Sequence, residues 1–174
     1  KIAEAAASPY AWMEVDDADF PVDYTQALEI IDLHRGHTVD DRLRLAKKNG
    51  LPTEVRRWLA GGQQLDGSVA ALLVDDRTLE VREALAGNYP DDWDASVFER
   101  LAVDKAAEVR AALAARGGPP AALLAQLSRD QDPDVRIAAA GRAHLPHDSL
   151  LRLLEDEDLE VREQVVLHGS LTYE

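Results

Sequence analysis

The stretch Asp130-Gln-Asp-Pro-Asp-Val-Arg-Ile-Ala-Ala-Ala-Gly-Arg142 has a skeleton, an acid, then Val-Arg, then small and apolar residues, that returns along the chain. Taken from the C-terminal end, Val161-Arg162, Val135-Arg136, Val109-Arg110, Val81-Arg82 and Val55-Arg56 follow at steps of 26, 26, 28 and 26 residues. A period of this length marks a stacked repeat, because one short unit cannot bury its apolar face alone and must lay it against a neighbour.

Within the period each unit reads as two short helices. The position two before each repeat arginine is acidic, namely Glu54, Glu80, Glu108, Asp134 and Glu160. A carboxylate there meets the positive end of a helix dipole, and Thr78, Asp132 or Asp158 supplies an N-cap, with Pro133 at the favoured first helical position. Three residues after each arginine come Leu59, Leu85, Leu113, Ala139 and Val165, followed by Ala60, Ala86, Ala114, Ala140 and Val166. With the preceding valine these form an apolar stripe on one helical face. Gly61, Gly87 and Gly141 sit at or near the end of the first helix, and Pro90, Pro120 and Pro146 mark the connection into a second one. The second helix carries Ala70 with Leu73, Phe98 with Leu101, Leu124 with Leu127, and Leu150 with Leu153. The two extra residues of the 82–110 unit fall at Tyr89-Pro-Asp-Asp-Trp93-Asp94, in a loop that tolerates insertion.

The N-terminal part is less regular. Residues 1–40 form an acidic arm with a capping helix over residues 24–35, and residues 41–174 form the repeat domain. A short helix is also expected over Asp40–Lys48. Aligning Leu51-Pro52 with Leu145-Pro146 would make Arg42 the first repeat arginine, whereas the 26-residue step to Arg82 favours Arg56. Sparse aromatics and abundant alanine fit close-packed helices. The fold class expected is all-α, a solenoid of about five two-helix repeats.

The pattern Val-Arg-x-x-Leu-Ala, then Pro-x-x-Leu-Leu-x-x-Leu and Asp-x-Asp, resembles the leucine-rich repeat variant family, a relative in style of HEAT-like helical repeats. Residues 109–130 carry it most fully, and the resemblance spans roughly residues 42–170. It implies a right-handed superhelix that serves as a binding scaffold. The cysteine-rich, cluster-binding extension of that family is impossible here, since the chain contains no cysteine.

The candidate residues fall into two groups. Arg56, Arg82, Arg110, Arg136 and Arg162 form a column, and the last four have an aspartate six residues earlier: Asp76, Asp104, Asp130 and Asp156. An acid in the inter-repeat loop can accept from a guanidinium fork, so these residues are expected to form a structural ladder of arginine with aspartate and backbone carbonyls. The second group, Trp58, Tyr89, Asp91, Asp92, Trp93 and Asp94, combines amphipathic aromatics with acids near a loop and is the candidate partner-binding set, with filling the core or covering a repeat edge the rival reading of Trp58, Tyr89 and Trp93. His34 with His37, and His144 with His147, have metal-compatible spacing but straddle helix breaks, so no metal site, cofactor or catalytic group is assigned.

The formal net charge of -14 argues against nucleic acid and anionic membranes as partners and leaves basic proteins open. The charge is uneven. Residues 1–40 carry 9 acids and 2 bases, and residues 71–98 and 151–174 each carry 7 and 2, whereas residues 41–70 carry 3 and 6. No apolar run approaches a membrane span and no signal segment opens the chain, so a cytoplasmic location is expected, while a start at Lys1 leaves room for a longer parent chain. The leading expectation is a non-enzymatic binding module that presents an acidic surface to a basic protein. Its rivals are a HEAT-like enzyme or DNA-repair scaffold of the alkylpurine glycosylase type, which needs a basic groove and a catalytic acid, and a purely structural domain.

Overall fold

The computed structural model describes Arg42, Leu43, Ala46, Lys47 and residues 51–62, 65–88, 93–116 and 119–168. The acidic arm and the capping helix over residues 24–35 lie outside the described residues. Of the expected helix over Asp40–Lys48, Arg42, Leu43 and Ala46 are helical.

Every regular element among the described residues is an α-helix, and the helices alternate in two kinds. The Val-Arg helices are α1 (Thr53–Gly61), α3 (Leu79–Gly87), α5 (Ala107–Ala115), α7 (Pro133–Ala140) and α9 (Leu159–His168). Between them lie α2 (Gly67–Leu73), α4 (Ala95–Ala102), α6 (Ala121–Leu127) and α8 (His147–Leu154). At 7 to 10 residues these helices are too short to persist alone, so their stability comes from packing.

The packing is a row backed by a second row. Helix α1 packs on α3, α3 on α5, α5 on α7 and α7 on α9, while each helix of the other set wedges against the two Val-Arg helices that flank it. Along the first row Val81, Leu85, Val109, Leu113, Val135 and Ala139 are fully buried. The second row contributes Ala70 with Leu73, Phe98 with Leu101, Leu124 with Leu127 and Leu150 with Leu153, all of them buried as their spacing predicts. Each fully buried leucine or valine contributes about 1.5–3 kcal/mol of apolar transfer, which gives every unit a reason to hold its neighbour. Alanine at 60, 86, 114 and 140 is at most 1 % exposed, so adjacent Val-Arg helices approach closely at these positions.

Local chemistry sets the helix starts. Asp66 and Asp94 cap α2 and α4 by accepting the backbone N–H groups of Ser68 and Ser96, and Asp132 caps α7 by accepting from Asp134 with Pro133 behind it. Pro120 and Pro146 stand at the N-caps of α6 and α8. The glycines stand at the helix ends as expected, Gly61 and Gly87 as the last residues of α1 and α3 and Gly141 as the C-cap of α7. Gly141 has φ of -73° and Gly62 of -68°, so neither closes a helix in the left-handed conformation that makes glycine a good stop. Donors from the following unit take the orphan carbonyls of three of these helices. Asn88 Nδ2 donates to the Ala60 and Gly62 carbonyls at 2.7 and 2.6 Å, Arg116 Nε donates to the Gly87 carbonyl, and Arg142 Nη1 donates to the Ala115 carbonyl.

Candidate functional site

The arginine column faces the turns between units, where its side chains connect one unit to the next. Arg82 donates from Nε to Asp104 Oδ2 at 2.6 Å and from Nη2 to Asp104 Oδ1 at 3.1 Å. Arg110 does the same with Asp130 at 2.7 and 2.8 Å, and Arg136 with Asp156 at 2.9 and 2.9 Å. Arg56 meets Asp76 at 2.7 and 3.3 Å and reaches Thr78 Oγ1 at 3.0 Å, which places Arg56, not Arg42, in the column.

The partners are therefore not those of the six-residue spacing. Each carboxylate belongs to the arginine 20 or 22 residues before it, and the aspartate six residues before an arginine offers its backbone carbonyl instead. Arg82 Nη1 donates to the Asp76 carbonyl at 2.7 Å, Arg110 Nη1 to Asp104 at 2.7 Å, Arg136 Nη1 to Asp130 at 2.9 Å and Arg162 Nη1 to Asp156 at 2.6 Å. The reason is directional: the aspartate side chain turns back to accept the N–H two residues ahead, as Asp104 does from Ala106 at 2.9 Å, which leaves the carboxylate toward the preceding unit. Asp76, Asp130 and Asp156 make the same turn with Thr78, Asp132 and Asp158. One aspartate thus joins two arginines, and the ladder is continuous from Arg56 to Arg162.

The pairs are largely buried, their side chains 7–13 % exposed. Burial alone pushes the Asp104 carboxyl up, but the Arg82 hydrogen bond, the Ala106 N–H and the nearby positive charge outweigh it and hold the group below its ordinary value. Asp76, Asp130 and Asp156 are lowered by the same balance. The hydrogen bond to its aspartate raises each of Arg82, Arg110 and Arg136 against the cost of desolvation. These guanidinium groups are committed to their carboxylates, so the column is a fastening and leaves no fork free for an anionic ligand at these three rungs.

Of the proposed partner-binding set, Trp58, Trp93 and Asp94 are among the described residues. Trp93 is 7 % exposed, stacks on Phe98 at 5.6 Å and donates its indole N–H to the Leu65 carbonyl of the preceding unit at 3.0 Å. It is a core residue and not a surface anchor. The physical reason is its place before the N-cap Asp94, in register with buried Leu65 before Asp66 and buried Leu145 before Pro146. Asp94 is exposed but engaged as the α4 cap, and the Ser96 N–H lowers its pKa. Trp58 is half-buried on α1. Tyr89, Asp91 and Asp92 lie outside the described residues.

A feature the sequence reading missed lies on the exposed side of the Val-Arg row. A groove of about 400 Å³ runs over α5 between α3 and α7, floored by Ala111, Ala112, Ala115 and Ala138. Its rim holds Glu83, Glu108, Asp132 and Asp134. The available signal was the alanine at the positions one and two after Arg110, set beside the acidic column. The second set of donors, Asn88, Arg116 and Arg142, is legible as a polar residue six after Arg82, Arg110 and Arg136.

His144 sits near the Pro119 carbonyl through Nε2 at 3.2 Å, and among the described residues no group of three His, Asp or Glu side chains is placed to hold a metal ion. Among those residues no helix is long and apolar enough to cross a membrane. The class that the described residues define is an all-helical one of alternating helices. In comparison with known proteins, no family model, no curated protein and no solved structure matches the chain.

Proposed function

We propose that this chain is a non-enzymatic scaffold of the leucine-rich repeat variant type, a right-handed superhelix of about five units with an N-terminal cap, that binds a basic protein segment. The observation that carries the reading is the groove over α5, whose alanine floor admits an apolar ridge while Glu83, Glu108, Asp132 and Asp134 face the flanks of whatever lies in it. A helix with small apolar residues on one face and lysine or arginine beside them is complementary in both shape and charge. The net charge of -14 extends that attraction beyond the groove and opposes phosphate backbones.

The test is a fluorescence anisotropy titration at physiological salt with three labelled probes: a lysine-rich amphipathic helical peptide, a glutamate-rich peptide of the same pattern, and a short DNA duplex. Saturable binding of the lysine-rich peptide alone is the expected result. Equal binding of all three, or binding of the duplex, would sink the proposal.

A further inference from the structure

The ladder holds each internal guanidinium from two sides, by a carbonyl of its own unit and a carboxylate of the next. At Arg162 the first half is present: Nη1 donates to the Asp156 and Glu157 carbonyls at 2.6 and 3.0 Å. Among the described residues no carboxylate meets its Nε or Nη2. The apolar residues beside it are uncovered in the same way. Ala86, Ala114 and Ala140, four after the preceding arginines, are at most 1 % exposed, whereas Val166 at the equivalent place is 68 % exposed. Leu159 and Leu167 on the same helix are 58 % and 72 % exposed. At Val166 helix α9 therefore presents on its surface a position that α3, α5 and α7 bury, whereas the positions of Leu159 and Leu167 are half-buried or exposed in those helices as well.

We propose that this face docks a partner helical unit of the repeat's own chemistry: a turn offering an aspartate to Nε and Nη2 of Arg162, then a helix whose apolar side covers Val166. Continuity with the row argues for this occupant, since each internal interface pairs the same arginine face with such a turn and helix. The four internal carboxylates are aspartates fixed by an N–H two residues ahead, a geometry that a longer glutamate in a free peptide would have to order at an entropic cost. A second copy docking by its Arg56 unit brings no such group, because Gly50 stands six residues before Arg56, where the other units have aspartate.

The experiment uses the full chain with a duplicate of residues 143–168 inserted after His168, which puts the copied Asp156 at the 20-residue spacing from Arg162. The duplicate is expected to raise both helicity and Tm above those of the parent, and replacing only the copied aspartate by alanine is expected to remove most of the rise in Tm. A duplicate that leaves Tm unchanged, or a rise that survives the alanine, overturns the proposal. Sedimentation of the parent protein as a dimer that Val166→Asp dissociates would also overturn it, by assigning the face to a second copy.

Discussion

Arg82 and Asp104 lie 22 residues apart in sequence and meet at 2.6 Å, their side chains only 7 % and 8 % exposed. The equivalent pairs, Arg110 with Asp130 and Arg136 with Asp156, span 20 residues. The two additional residues enter before Asp104, in the loop leading to α4, so the ladder keeps its geometry while the loop absorbs the length. A conserved contact geometry across unequal spacing shows that the fork and the carboxylate, and not a rigid period, align successive units.

Arg110→Ala is expected to destabilise the protein by about 1–3 kcal/mol, because it strips Asp130 of two donors while leaving that carboxylate largely buried. Arg110→Lys should recover only part of the loss, since an ammonium cannot span Oδ1, Oδ2 and the Asp104 carbonyl together. Urea denaturation midpoints check both, and a lysine variant as stable as the parent would show that charge alone holds the joint.

Trp93→Ala is expected to cost about 3–5 kcal/mol through the cavity it opens beside Phe98 and the Leu65 carbonyl it leaves without the indole donor. A residue acting only as a surface anchor would lose partner affinity with its Tm intact. Thermal unfolding followed by circular dichroism separates the two.

The lowered aspartates give a pH dependence of definite sign. Between the ordinary aspartate value of 3.8 and the lower folded values, the unfolded chain binds more protons, so stability is present above 3.8 and falls as pH drops through the folded values. The raised arginines act in the opposite direction, but their loss falls at strongly alkaline pH, above the ordinary arginine value, and leaves the acid limb untouched. Urea midpoints should decline steeply below pH 4, and Asp104→Asn should flatten that limb at the cost of lower stability at neutral pH. An acid limb identical in the two proteins would contradict this assignment.

The alternation of Val-Arg helices with leucine-paired helices was legible because each contribution is local: an acid in the first turn, a valine four before a leucine, two apolar residues three apart. The members of the ladder were legible for the same reason, since arginine and aspartate recur in fixed columns. Their pairing was not. Spacing puts Asp76 nearest to Arg82, yet the Asx turn at Thr78 aims its carboxylate at Arg56, and such a direction is a property of backbone geometry that residue types do not display. Trp93 allows both a surface and a core reading in the sequence, because an aromatic among acids looks like surface until it is aligned with Leu65 and Leu145. The groove escaped notice since alanine signals close packing as readily as an open floor.

The groove yields the prediction that separates recognition from stability. Glu83 lies on the exposed side of α3, away from the first turn, so Glu83→Lys should shift Tm little, within the range usual for surface substitutions. Glu108 and Asp134 lie in the first turns of α5 and α7, where reversal also opposes the helix dipole at about 0.3–1 kcal/mol each. The triple lysine variant should slow association with the lysine-rich peptide and flatten its salt dependence, because the rim charges act at encounter distance. Ala111→Arg, which obstructs the floor while adding charge at the same place, should abolish binding more completely than Glu83→Lys with little loss of helicity. Stopped-flow association rates across a salt series check the rim, and equilibrium anisotropy checks the floor. If all these variants bind the peptide as the parent does while Tm is retained, the acids serve solubility and the binding surface lies elsewhere.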